Sequence, residues 1–151
     1  MSVVAQVESA FVQTPYPGDL NITGPCRCDE CREIADYFRG TSWRGHTAES
    51  LRYHADALSL FTPAAFRFWL PAFMLAELHD PNDADVIAEF IAYTFRDSSD
   101  HSADRVIQFT SSELDAILAF LRECAARYND GVYDVEFNKA VERIEQHRRG
   151  E

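Results

Sequence analysis

Apolar residues recur at intervals of three and four along nearly the whole chain. Val3, Val4, Val7, Ala10 and Phe11 open the pattern and predict a short first helix, closed by the Pro, Gly, Asn and Thr punctuation of TPYPGDLNITGP. From Cys28 to Arg39, the residues Cys31, Ile34, Ala35 and Phe38 form one stripe. Asp29 and Glu30 stand where a helix start favours negative charge, and Gly40 supplies a stop. A shorter helix is expected over Ala48 to Leu58, with Thr47 as its N-cap.

The strongest signal is FTPAAFRFWLPAFMLAELHDP. Thr62 caps it and Pro63 suits the first turn, where a missing N–H costs nothing. Phe66, Trp69, Leu70, Phe73, Met74 and Leu78 make a wide apolar face, and Phe68 and Leu75 extend it to another side, so this helix is expected to be buried on most sides. Pro71 is expected to bend it or divide it in two. Val86, Ile87, Phe90, Ile91 and Phe95 predict a helix within Asp83–Phe95, followed by the polar loop RDSSDHSADR. Thr110-Ser111-Ser112-Glu113 reads as a capping box opening a helix along Leu114, Ile117, Leu118, Leu121, Cys124, Ala125 and Tyr128. After Asn129-Asp130-Gly131, Tyr133, Phe137, Val141 and Ile144 predict a last helix ending in basic residues. The alternating pieces at 105–109 and 132–135 are too short to predict strands. The expected fold is all-α: one compact domain of six or seven helices around an aromatic-rich central helix. Residues 1–25 form an N-terminal helix and loop, 26–128 the core and 132–148 a C-terminal helix.

Charge narrows the function classes. The net charge of −11 argues against a protein that grips nucleic-acid phosphates, which needs Lys and Arg. Most of the surplus falls in one segment: residues 75–104 carry 8 acidic and 1 basic side chains. Asp80, Asp83, Asp85, Glu89, Asp97 and Asp100 therefore form a candidate acidic binding face for a basic partner; the simpler reading is a solvated surface that keeps the protein soluble. No run of apolar residues reaches membrane-spanning length, and MSVVAQVESAFVQ lacks the features of a secretion signal, so a cytoplasmic protein without a membrane partner is expected. In that compartment the four cysteines are expected to be thiols rather than disulfides.

Three of those cysteines crowd into GPCRCDEC. Cys28 and Cys31 have the spacing of a zinc-ligand pair and Cys26 is a third thiol, but no second CxxC or HxxxH supplies a partner pair, and only His46 and His54 lie close enough in sequence to return. A thiol at a helix start also has its pKa lowered, which makes Cys28 the candidate reactive thiolate, although Asp29 and Glu30 act against this and the βαβ setting of a thioredoxin-like motif is absent. The expectation is a helix start carrying reduced thiols, with no bound metal and no cofactor; metal and redox chemistry stand as alternatives. Cys124 lies on an apolar stripe and reads as a buried core thiol. The run His79–Asp85 fails as a calcium loop, because Ala84 and Asp85 occupy positions that need an oxygen ligand and Gly; Asp83 and Asp85 read as first-turn residues of the next helix. No nucleophile-and-base signature or phosphate loop is present, so no catalytic residue and no enzymatic activity are expected. Arg67, Phe68 and Trp69 read as part of a core helix, with an exposed interface patch as the alternative.

CDEC leading into IADYFRG and Trp43, then LFTPAAFRFWLPAFMLAEL, then FTSSELDAILAFL, together resemble a family of small bacterial proteins of unknown function. The resemblance covers about residues 26–124, with Phe66–Phe73 as its most specific block. It implies no activity and no catalytic residues. His standing for Cys26 in relatives implies that a metal-ligand type is kept there. In size and acidity the chain is similar to immunity proteins that neutralise bacterial toxins, an analogy of character only. These readings converge on an acidic protein-binding module, in its finest form an immunity protein covering the active site of a toxin with a basic surface. The alternative is a zinc- or thiol-dependent enzyme or sensor using Cys26, Cys28 and Cys31.

Overall fold

The computed structural model describes residues 1–96 and 100–150, the side chains of 100–102 excepted. Ten helices and no strands occur among the described residues: α1 Val3–Phe11, α2 Asp29–Phe38, α3 Ala48–Tyr53, α4 Ala57–Leu60, α5 Pro63–His79, α6 Pro81–Ala84, α7 Ile87–Arg96, α8 Asp100–Ile107, α9 Ser111–Arg127 and α10 Tyr133–Arg148. The all-α expectation holds, and the expected count of six or seven helices is too low. Each extra helix has a local cause.

The helix expected over Ala48–Leu58 is two. Between α3 and α4 the backbone bonds tighten to a three-residue step (Ala55 N to Arg52 O, Ala57 N to His54 O), which ends one helix and restarts another. The helix expected within Asp83–Phe95 is also two, because Asp85 adopts φ +50 and ψ −103, a strained conformation for a residue with a Cβ. Asp83 is a first-turn residue of α6, as expected, whereas Asp85 is the break between α6 and α7. α8 stands where a polar loop was expected. Among its described side chains the inward ones are Arg105, which donates to the Ser59 carbonyl at 2.9 Å, and Val106, so apolar spacing does not mark it.

α5 is the central element and runs unbroken through Pro71 for 17 residues, so the predicted division does not occur. Eleven of its residues are buried, Phe68 and Trp69 among them, which places both in the core rather than in an interface. Trp69 sits among Phe38, Phe61 and Phe68, with ring centroids 5.2, 5.6 and 4.9 Å away, and its indole N–H donates to Thr41 Oγ1 at 3.1 Å. A second aromatic group, Phe11, Phe66, Phe95 and Phe109, joins α1, α5, α7 and the approach to α9.

The predicted capping box is present: Thr110 Oγ1 accepts from Glu113 N, and Glu113 Oε1 accepts from Thr110 N at 2.7 Å. The Glu113 carboxylate, 1% exposed, also accepts from Thr14 Oγ1 at 2.7 Å and from Arg67 Nε at 3.0 Å, tying α9 to the end of α1 and to α5. α10 packs against α7 and α9 and completes the domain. None of the helices described is long and apolar enough to cross a membrane.

Candidate functional site

Two regions have the geometry to bind something. The first is the start of α2. Its approach is pinned to the segment before α5: Thr62 N donates to Ile22 O at 3.0 Å, Thr62 Oγ1 to Asn21 O at 2.8 Å, and Thr23 pairs with Phe61. The chain then turns so that Cys26 Sγ lies 3.0 Å from Cys28 Sγ and also accepts from Cys28 N at 3.4 Å. Cys28 is the N-cap of α2, its sulfur accepting from Cys31 N at 3.4 Å. All three sulfurs lie within 4.8 Å of one another, and among the described residues no other group of three or more His, Cys, Asp or Glu converges this closely. All four cysteines are free thiols.

The environments of the three thiols differ. Hydrogen bonding from the Cys26 thiol and from the Cys31 amide holds Cys28 below its ordinary pKa, as expected for a capping thiol. Burial, reinforced by the two neighbouring thiols, pushes Cys31 up to about 12. Cys26 and Cys28 are exposed and Cys31 is buried, so the cluster opens to solvent on one side. Neither histidine returns to it. His46 bonds Tyr37 Oη at 2.9 Å through Nδ1 and the Ser42 carbonyl at 2.8 Å through Nε2, and burial lowers its pKa. His54 is buried against the Tyr37 ring, centroids 4.2 Å apart. Cys124 is buried in α9, where desolvation raises its pKa, as a core thiol should.

The second region lies between α7 and α10. Val86, Phe90, Tyr93, Tyr133 and Phe137 line a groove of about 460 Å³. Phe90, Tyr93 and Tyr133 are 39%, 55% and 43% exposed, a concentration of aromatic surface that scattered surface residues do not produce. Glu89 and Glu136 stand at its edge, with Glu136 paired to Arg96 at 2.8 Å and the Arg96 guanidinium lying over the Tyr93 ring. An apolar helix stripe ordinarily faces the core. Instead Phe90 and Tyr133 lie partly outside it, and Tyr93, off the stripe, joins them; a second apolar position beside the stripe is the only sign of this in the sequence.

The acidic residues singled out from the sequence are divided. Asp80 and Asp83 border a depression beside Trp43, Arg44, His46 and His79. Asp85 and Glu89 border another, beside Arg127, Tyr128 and Tyr133, and Glu89 also reaches the aromatic groove. All four are exposed and none forms an ion pair among the described residues. Partial burial, then the adjacent Asp85 carboxylate, raises the pKa of Glu89. Asp97 lies outside the described residues, as does the side chain of Asp100.

Against Tyr128, which borders the Asp85 depression, lies a buried carboxylate that the sequence did not reveal. Glu77 of α5 is fully buried; it accepts a hydrogen bond from Tyr128 Oη through Oε1, and its Oε2 has no partner. Burial raises its pKa, against the opposing effects of the Tyr128 hydrogen bond and the Arg127 charge. The protonated form therefore favours the folded state: the stability it supplies is complete below the ordinary Glu range and is lost as pH rises through the raised value. Glu77→Gln is expected to remove that slope, so urea-unfolding free energies of variant and wild type should diverge in the variant's favour as pH rises above the ordinary Glu range. Parallel pH curves would show that Glu77 ionises without penalty.

A family model described as a family of unknown function (DUF6714) matches residues 1–146. The match takes in α1 and nearly all of α10, so it is wider than the stretch 26–124 over which the resemblance was seen. No curated protein and no solved structure matches the chain.

Proposed function

The chain belongs to this family of unknown function, DUF6714, and we propose from its own surface that it is a protein-binding module whose α7–α10 groove takes a basic, amphipathic helix of a partner. The observation that carries the reading is the aromatic groove with acidic residues at its edge. An apolar helix face enters such a groove with anchors three and four residues apart, and Tyr residues supply contact area at low entropic cost. Glu89, Asp85 and the net charge of −11 favour Lys and Arg on the partner's rim and speed the encounter. The finer reading, an immunity protein that blocks a toxin by covering its active site, rests on size, acidity and this demand for a basic partner. It includes no catalytic step.

The test is affinity capture from the native host with three baits: wild type, Tyr93→Ala and Glu89→Lys, each shown to melt like wild type. One partner held by wild type at low salt, released at high salt, and bound by Tyr93→Ala roughly thirtyfold more weakly is the expected result. A toxin domain in that partner would support the finer reading. Equal capture by all three baits would remove the groove, and self-association of the wild type through the same residues would replace the partner by a second copy.

A further inference from the structure

We infer that Cys26, Cys28 and Cys31 form a three-thiolate zinc site with its fourth coordination position open to solvent. Each of the three sulfurs is placed by a different feature. Cys31 is fixed by burial in the core, Cys28 by its position as N-cap, and Cys26 by the turn that brings its sulfur onto the Cys28 amide. Zinc–sulfur bonds of about 2.3 Å in tetrahedral geometry put ligand sulfurs about 3.8 Å apart. The observed separations, from 3.0 Å to within 4.8 Å, bracket that spacing, so rotation about the side-chain bonds suffices to bind.

The residue types favour the same conclusion. A helix start is capped better by Ser, Thr, Asp or Asn than by sulfur, and an exposed Cys26 adds nothing to the core, so capping and packing leave two of the three thiols unexplained. Thiolates select soft and borderline cations, zinc among them. Binding converts three thiols to thiolates and releases three protons, which leaves a complex of charge −1 at the positive end of the ten-residue helix α2, the end that stabilises an anion. The two histidines nearest in sequence are engaged elsewhere, as described, so the fourth ligand comes from outside the cluster: water in the isolated protein. This site uses none of the groove residues and stands apart from the binding function proposed above.

The full chain, reduced and stripped of metal, would be titrated with Zn2+ against a chromophoric chelator and separately with Co2+. One equivalent of zinc bound with sub-micromolar affinity, close to three protons released at pH 6, and intense thiolate-to-cobalt absorption are expected. Cys26→Ser and Cys28→Ser, both at exposed positions, should each weaken zinc binding by about a hundredfold or more, while Cys124→Ser leaves it unchanged. Uptake that survives both exposed substitutions would overturn the assignment. So would fully reduced protein that takes up no zinc.

Discussion

Trp69→Ala is expected to cost about 3–5 kcal/mol of folding stability, the range for deleting a fully buried large aromatic. Trp69 is 0% exposed at the middle of α5, with Phe38 and Phe61 on one side and Phe68 and Tyr16 on another, so no single neighbour can move to fill the space. The indole N–H bond to Thr41 is lost as well, leaving a partly buried hydroxyl oxygen short of a donor. For a chain of this size the loss corresponds to a fall in Tm of roughly 6–20 °C. Trp69→Phe keeps most of the ring volume and should cost less than half as much. Urea denaturation of the two variants checks this, and a loss below about 1 kcal/mol for alanine would mean that the aromatic cluster is loosely packed.

Glu113→Ala is expected to cost a similar amount, by a different route. The Glu113 carboxylate is the common acceptor for Thr14, Arg67 and the Thr110 amide. Its removal strands the Arg67 guanidinium, only 22% exposed, and takes away the half of the α9 capping box that satisfies Thr110 N, while Thr110 Oγ1 still caps the residue-113 amide. Breaking a buried pair from one side costs about 3–5 kcal/mol, whereas replacing both partners with apolar residues of similar volume costs far less. The decisive measurement is therefore the double variant Arg67→Met with Glu113→Leu. It should recover more than half of the loss seen in Glu113→Ala, and a double variant as unstable as the single one would assign the cost to the lost bonds from Thr14 and the Thr110 amide.

These two residues also show which parts of the fold are legible in sequence. The capping box is a four-residue pattern, so Thr110-Ser111-Ser112-Glu113 announces itself. The same carboxylate's bonds to Arg67 and Thr14 span 46 and 99 residues and leave no local trace. α5 is legible because apolar residues surround it. α8 is not, because its inward-facing Arg105 reads as surface until the Ser59 carbonyl is found against it. The break at Asp85 escapes because the apolar spacing runs on across it and a single residue's backbone conformation leaves no mark in that spacing. At the candidate sites, the Cys28–Cys31 spacing predicts two adjacent thiols, while the return of Cys26 depends on a turn. The groove escapes for a simpler reason: an apolar stripe says that a helix face seeks cover, and only tertiary contacts decide whether this chain or another supplies it.

The packing of α1 bears on how the protein is made. Phe11 ends α1, whereas α9, its main neighbour, begins at Ser111 and α5, the other, at Pro63. At ribosomal speeds of about 5–20 residues per second, the roughly 100 residues from α1 to α9 take about 5–20 s to emerge. During those seconds Val7 and Phe11 lack the cover that α9 supplies, so the nascent α1 keeps apolar surface exposed until α9 arrives.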